Sequence, residues 1–288
     1  MVGMELNDNE LQKMVAGVKI PPCPTLLLEV IKEARRPDAD LDRIVQPVMR
    51  DAGMSAALLK LANSPLYTRG RQISSVRQAI SVLGMRATIN LLNHVALLQS
   101  MADDPPDFAK FWERSALAAS TASWLARKLP TISQAPRSSP DDAYIAGLFH
   151  DCGIPILMRT YPDYRQTMVT RANMGKHVYE VEDEVYSTNH AVVGSMMART
   201  WFLPEAVYKT ILFHHDTTIF AVPSEHVPQE ITLLIGIVNM AEMLVDEHFC
   251  QKNPDWEEIE TDVLHYFEIA EQDFAELKDD ALGWLNGE

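Results

Sequence analysis

The amino-acid sequence predicts an all-α protein. Apolar residues recur at steps of three and four along most of the 288-residue chain, which is the spacing of one helix face. No convincing run of period-two alternation is flanked by hairpin turns. The clearest stripe predicts one long helix over 108–129 and consists of Phe111, Ser115, Ala118, Ala122, Leu125 and Leu129. Because this helix is rich in alanine, we expect its slim face to lie against the helix that carries His150.

Shorter amphipathic segments predict the remaining helices. Asp40 is a predicted N-cap, and Ser75 with Gln78 forms a predicted capping box. Pro204 is well placed to start a helix that runs to His214. In chain order, the segments with helical spacing are 26–34, 41–49, 54–61, 76–83, 87–101, 190–201, 207–214 and 231–245.

The sequence predicts two helical lobes. Asp103, Asp104, Pro105 and Pro106 interrupt the helical pattern, because proline is not tolerated inside a helix ladder. We therefore expect an N-terminal lobe at 1–105 and a second lobe at 106–288. The acidic segment 255–288 also carries four large aromatic residues, which favour a docked helical extension over a free tail; they are Trp256, Phe267, Phe274 and Trp284.

Charge and cysteine content exclude several classes of function. The formal net charge is −15 and the pI is about 5.0, so neither nucleic acid nor an anionic membrane surface is an expected partner. The longest apolar stretch, 231–238, is far too short to span a bilayer. Cys23, Cys152 and Cys250 are scattered and form no metal-binding pair. We expect a cytoplasmic protein without a cofactor.

Five polar residues are candidates for one site, namely His150, Asp151, His190, His214 and His215. Imidazole and carboxylate groups together suit Zn²⁺, Mn²⁺ or Fe. Neighbouring helical residues point about 100° apart, so His150 and Asp151 can converge only at a helix end, which we expect Gly153 to provide. For the same reason, one of His214 and His215 should face inward and the other a neighbour or solvent. The alternative is that all five are ordinary core or capping residues.

The sequence resembles the HDOD domain, an output domain related to the HD metal-dependent phosphohydrolases. The resemblance covers about residues 20–220 and rests on several motifs: Ile-Pro-Pro-Cys-Pro at 20–24, Leu-Ala-Asn-Ser at 61–64, Ala-Gly-Leu-Phe-His-Asp-Cys-Gly at 146–153, Trp-Phe-Leu-Pro at 201–204 and His-His at 214–215. It implies an all-helical fold with an HD-like second lobe. It also implies a place in bacterial signalling, in a family generally regarded as non-catalytic.

Three departures from the catalytic relatives follow from this resemblance. Arg114 stands where the HD pattern has its first histidine, and Asn239 stands where it has its distant aspartate. Ile154 replaces the lysine of the HD-GYP relatives, which hydrolyse cyclic di-GMP. We therefore expect no catalytic residue and no bound metal, with His150, Asp151, His190 and His214 as weak metal candidates. Arg114 is expected to form an ion pair in the cleft with Asp151, or else to point to solvent.

The function that the sequence favours is that of a non-catalytic signal-transduction module. Such a module would act through other signalling proteins held in trans. It could also bind a nucleotide-like ligand in the cleft that corresponds to the active site of the catalytic relatives. Two alternatives stay open. One is a metal-dependent phosphohydrolase acting on a nucleotide or a cyclic dinucleotide. The other is a sensor that binds such a nucleotide without cleaving it.

Overall fold

The computed structural model describes residues 8–64, 72–101, 108–172, 176–221 and 227–287. These residues contain helices and turns but no strand, so the predicted all-α class is confirmed. The predicted break at 103–106 lies outside the described residues. None of the helices in these ranges is both long and apolar enough to cross a membrane.

The chain forms two compact units. One unit is Pro21–Pro105, and the other combines Met1–Ile20 with Pro106–Glu288. Residues 1–20 thus group with the C-terminal part of the chain, whereas the sequence predicts that they belong to the N-terminal lobe at 1–105. The functional division into two domains stays a prediction.

The described residues of the unit Pro21–Pro105 form five helices: α2 (Thr25–Ala34), α3 (Leu41–Arg50), α4 (Ala52–Ala62), α5 (Val76–Leu83) and α6 (Met85–Ser100). The carboxylate of Asp40 accepts the Asp42 N–H at the start of α3, as predicted. At the start of α5 the Ser75 hydroxyl accepts the Gln78 N–H at 3.2 Å, which is one half of the predicted capping box. The core of this unit is aliphatic and includes Leu27, Ile44, Leu58, Leu92 and Leu97.

The second unit contains the remaining helices: α1 (Asp8–Met14), α7 (Phe108–Lys128), α8 (Pro140–Phe149), α9 (Gly153–Thr160), α10 (Tyr164–Ala172), α11 (Val178–Tyr186), α12 (His190–Thr200), α13 (Glu205–Phe213), α14 (Thr218–Ala221), α15 (Gln229–His248), α16 (Pro254–Tyr266) and α17 (Glu271–Asn286). A 3₁₀ turn at Leu129–Thr131 follows α7. Helix α15 is buried along almost its whole length, which is why its sequence is apolar on every side.

The alanine-rich face of α7 packs against α8, as the sequence predicts. A Cβ atom on Gly147 of α8 would lie 3.0 Å from the Ala118 carbonyl oxygen and 3.0 Å from Ala119 Cα. Only two small surfaces can approach this closely. The contact fixes the C-terminal end of α8, where His150 forms the helix cap.

The C-terminal helices α16 and α17 form a docked extension, as the aromatic residues predict. Trp256, Phe267 and Phe274 are buried in the core that α7 and α15 also line. Trp284 is partly exposed and stacks on Trp124 of α7, with 6.0 Å between ring centroids. The extension therefore shares its core with α7 and α15.

Candidate metal centre

Four helix ends bring the candidate residues together in the second unit. His150 caps α8, Asp151 lies in the turn between α8 and α9, and His190 is the first residue of α12. His214 and His215 follow the last turn of α13. Residues at helix ends escape the 100° spacing of neighbours within a helix, so adjacent side chains can converge here.

Gly153 is required for this convergence, although not as the end of α8. Helix α8 ends at Phe149, and Gly153 is the first residue of α9. A Cβ atom at this position would lie 2.1 Å from the carbonyl oxygen of His190. Only glycine lets the turn after Asp151 come this close to the start of α12. The prediction that Gly153 terminates α8 is therefore wrong.

Asp151, His190, His214 and His215 each place one ligand atom within 4.8 Å of the others. Asp151 Oδ1 lies 3.4 Å from His190 Nε2 and 3.7 Å from His214 Nε2. The side chains of His190 and His214 are 2% and 0% exposed. Three imidazoles and a carboxylate form a donor set that Zn²⁺ and related divalent transition metals accept. His214 is fully buried and His215 contacts Asp255 of a neighbouring helix, as expected of the pair, but both also place a ligand atom in this group.

The Nδ1 atom of each of the four candidate histidines contacts an oxygen that is not one of the candidate ligands. The partners are Gly147 O for His150 (2.8 Å), Glu182 Oε2 for His190 (2.6 Å), Ile211 O for His214 (2.7 Å) and Asp255 Oδ2 for His215 (2.9 Å). Carbonyl and carboxylate oxygens only accept, so Nδ1 must carry the hydrogen in each ring. In neutral rings the Nε2 lone pairs are then available to the centre. This is the usual arrangement of metal-binding histidines and their supporting groups.

Glu182 is the more deeply buried of the two supporting carboxylates. Its side chain is 0% exposed, and one oxygen accepts both the Nδ1–H and the backbone N–H of His190, the latter at 2.9 Å. The other oxygen accepts the hydroxyl hydrogen of Tyr164. Glu182 on α11 therefore fixes both the position and the tautomer of His190.

The shortest distance between two candidate ligand atoms joins two ring nitrogens that both lack a hydrogen in the neutral rings. His190 Nε2 and His215 Nε2 lie 2.8 Å apart, and both rings carry their hydrogen on Nδ1. Such a contact requires a proton on one Nε2 atom or a cation between them. Burial lowers the pKa of His190, but the Glu182 and Asp151 carboxylates together outweigh burial and raise it to about 9. Burial and the neighbouring His214 lower the pKa of His215 to about 3. Without a metal, the proton therefore belongs to His190.

A second group of ligands shares Asp151 with the first. His150, Asp151 and Glu242 also bring one ligand atom each within 4.8 Å of one another. The second oxygen of Asp151, Oδ2, lies 3.3 Å from His150 Nε2. Glu242 lies on α15, and burial raises the pKa of its carboxyl group to about 7. The two oxygens of Asp151 thus face two different groups of ligands.

Asn239 and Arg114 are both outside these groups. The Asn239 amide donates to the carbonyl oxygens of His214 (3.1 Å) and Ile235 (3.0 Å), so it supports the backbone. Glu242 stands one helical turn further along α15 and supplies the carboxylate that Asn239 lacks. Arg114 forms an ion pair, as expected, but with Asp246. The choice of Asp151 as its partner is wrong, because Asp151 is surrounded by histidines.

A narrow cavity adjoins the histidines. His177, His214, His215 and Asp255 line it together with Asn239, and its volume is ≈ 10 Å³. This is about the space of one water molecule. Small-molecule sites usually measure about 300–1,000 Å³. In this conformation the cavity has no room for a nucleotide.

Comparison with known proteins identifies the family. Residues 20–217 match the profile of the HDOD domain, which is more than half of the chain. The chain belongs to the HDOD family. The resemblance predicted from the motifs is therefore confirmed, and the matched region ends before α15, α16 and α17.

Several proteins of known structure share the fold of this chain. An HDOD domain protein with unknown function from Geobacter sulfurreducens is 24% identical, with a TM-score of 0.64 and coverage of 95% of both chains. A candidate phosphohydrolase from Shewanella amazonensis SB2B is 20% identical, with a TM-score of 0.70 and coverage of 95% of this chain and 94% of the other. A candidate signal transduction protein from Marinobacter aquaeolei VT8 is 20% identical, with a TM-score of 0.66 and coverage of 100% of this chain and 62% of the other.

One curated relative matches over much of the sequence. It is an uncharacterized protein from Treponema pallidum (strain Nichols), 28% identical over 253 residues. The alignment covers 87% of this chain and 46% of the relative. The chain therefore spans about half the length of this relative.

Proposed function

We propose that this HDOD protein is a non-catalytic signal-transduction module whose second unit binds one divalent transition-metal ion. The observation that carries the metal is the common orientation of the histidines. Each ring uses Nδ1 to bind an outer oxygen. The Nε2 atoms of His150, His190 and His214 lie 3.3–3.7 Å from Asp151, and Nε2 of His215 lies 2.8 Å from Nε2 of His190. Within the described part of the chain, the buried His214 Nε2 has no hydrogen-bond partner. An unpartnered buried nitrogen is costly, and a metal ion would satisfy it.

The proposed ligands are Asp151, His190, His214 and His215. This departs from the expectation of no metal, which treated Arg114 and Asn239 as lost ligands. Zinc is typically four-coordinate in structural sites, whereas catalytic zinc keeps three protein ligands and one position for water. Four protein donors therefore favour a structural or regulatory ion. Bound there, the metal would supply a positive charge that holds three helix ends together.

Two further features support a non-catalytic role. The cavity beside the histidines has a volume of only ≈ 10 Å³. The lysine of the HD-GYP relatives is replaced by Ile154, which cannot hold or move a proton. Membership of the HDOD family supports a role in signalling through protein partners, here proposed to be other signalling proteins bound in trans.

Metal content tests the proposal directly. The purified full chain is stripped with chelator, reconstituted with Zn²⁺, desalted and measured by elemental analysis. We expect one equivalent in the wild type, loss of most of it in His214→Ala, and no change in His265→Ala, a control at an exposed histidine on α16. A wild type that retains no zinc, or that retains it equally with and without His214, would refute the metal centre.

Asp151 favours a second candidate function, that of a metal-dependent phosphohydrolase. Its two oxygens face two ligand groups, as a carboxylate between two metal ions would. The comparison that separates the two functions is turnover of cyclic di-GMP and generic phosphodiesters, with added Mn²⁺ or Fe²⁺. Wild type and the His150→Ala, Asp151→Ala double variant are expected to show equal background rates. Metal-dependent hydrolysis that only the wild type performs would overturn the non-catalytic proposal.

A further inference from the structure

The residue that supports His215 lies outside the region that matches the HDOD domain. Asp255 is in the first turn of α16, whereas the match ends at residue 217. Its Oδ2 atom lies 2.9 Å from His215 Nδ1. Its other oxygen accepts from His177 Nδ1, and His177 Nε2 lies 3.1 Å from Glu258 of the same helix. A single carboxylate of the C-terminal extension therefore holds two histidines.

An aromatic ring completes this contact. Tyr179 lies between His177 and His215, with ring centroids 5.5 Å and 4.7 Å away and interplanar angles of 26° and 20°. The stack limits rotation of the His215 ring about its own axis. The carboxylate then decides which ring nitrogen carries the hydrogen. With Asp255 accepting from Nδ1, the lone pair of His215 is on Nε2, where it faces His190.

We propose that the C-terminal extension is part of the metal centre and that Asp255 is the positioning residue for His215. This inference rests on the proposed function, because it concerns the same four ligands. Removing α16 would free the His215 ring and its tautomer, so the centre would lose a prepared ligand. Metal binding and docking of α16 are then coupled, and each strengthens the other by the same factor. A partner that displaces α16 would weaken metal binding.

The variant Asp255→Asn tests the role of the carboxylate with almost no change in shape. Asp255 accepts from two histidines, but an amide offers one accepting oxygen and one donating nitrogen. One of the two rings must therefore give up its Nδ1 hydrogen or its bond. Loss of such a supporting group typically weakens metal affinity by about 10–100-fold. We expect a loss in this range for Co²⁺ and Zn²⁺, measured by competition with a chelating dye.

The matched control is Glu258→Gln on the same helix. Its carboxylate contacts only the Nε2 side of His177 and is 55% exposed, so the variant should bind metal as tightly as the wild type. A double-mutant cycle then assigns the effect to His215. If Asp255 acts through this ring, Asp255→Asn causes no further loss in a His215→Ala background. An equal loss in both backgrounds would overturn the inference.

Two outcomes separate the inference from the proposed function. If the wild type binds no metal, the metal centre itself is refuted. If the wild type binds metal and Asp255→Asn binds it equally well, the metal centre stands and the inference is wrong. Should Asp255→Asn fail to fold, hydrogen exchange of the wild type replaces it. Saturating Zn²⁺ should slow amide exchange in Pro254–Tyr266, and unchanged exchange there would contradict the coupling.

Discussion

Substituting alanine for Gly153 should destabilise the second unit, because the turn after Asp151 touches the backbone of α12. The added Cβ atom would lie 2.1 Å from the His190 carbonyl oxygen and 2.8 Å from His190 Cα. The oxygen would have to retreat by about 1.3 Å to reach the 3.4 Å of ordinary contact. Backbone atoms cannot rotate aside as a side chain can, so helix α12 must shift with it.

The size of the effect follows from two opposing terms. Overpacking of this kind costs about 3 kcal/mol, the upper end of the usual range, since the obstacle is backbone. Alanine in the first turn of α9 regains about 1 kcal/mol, because glycine loses more conformational freedom on folding. The net loss of about 2 kcal/mol corresponds to a fall of about 4–8 °C in melting temperature for a unit of this size.

Thermal unfolding followed by circular dichroism measures this fall. The matched control is Gly194→Ala, whose Cβ atom would lie 3.2 Å from Ile211 Cγ2, 3.3 Å from Cys152 Sγ and 3.4 Å from the backbone nitrogen of Gly153. Ordinary contact here needs shifts of at most about 0.2 Å, compared with about 1.3 Å for Gly153→Ala, so the control should melt at or near the wild-type temperature. A Gly153→Ala variant as stable as the wild type would refute the requirement for close backbone approach at this turn.

Three further changes have defined outcomes. Arg114→Ala leaves the 10% exposed carboxylate of Asp246 with the Asn253 amide but without its counter-charge, and should lower the free energy of unfolding in urea by about 1–3 kcal/mol. An unchanged midpoint would contradict the ion pair. Glu182→Gln keeps an oxygen that can accept both hydrogen bonds of His190 but removes the negative charge that makes His190 a more basic ligand, so metal affinity measured by dye competition should fall by about 10–100-fold. Burial lowers the pKa of His94 in the unit Pro21–Pro105, so the folded chain holds this proton less tightly than the unfolded chain. The buried neutral His94 therefore contributes stability above the unfolded pKa of about 6.5, and this contribution is lost below that pH. When urea unfolding at pH 7.5 is compared with pH 5.5, the His94→Gln variant should lose less stability than the wild type. Equal losses in the two proteins would contradict this assignment.

The helices could be predicted because burial imposes a spacing that is visible in one dimension. The stripe from Phe111 to Leu129 predicts α7 within a residue of its observed end, and the alanines in it predict the close contact with α8. The four histidines and Asp151 could also be nominated, because histidine is scarce enough for its positions to stand out. Their convergence depends on helix ends, which the periodicity locates only approximately.

The carboxylates around the histidines could not be predicted. The chain has 40 acidic residues, and nothing in the sequence separates Glu182, Glu242 and Asp255 from those that face solvent. Glu242 stands three residues after Asn239, on the same side of α15. The motif alignment points to Asn239 because it compares positions along the sequence and not distances in space. Arg114 shows the same limit, since the sequence predicts an ion pair and only the fold selects Asp246.

Anomalous diffraction at the zinc absorption edge, from crystals of the zinc-loaded chain, tests the central claim most directly. The metal centre predicts a single strong peak bounded by Asp151 Oδ1 and the Nε2 atoms of His190, His214 and His215. The outer oxygens should still bind the Nδ1 atoms of the three rings. A peak elsewhere, or zinc bound through Nδ1, would contradict the account, as would a fully loaded solution that gives no peak at these residues.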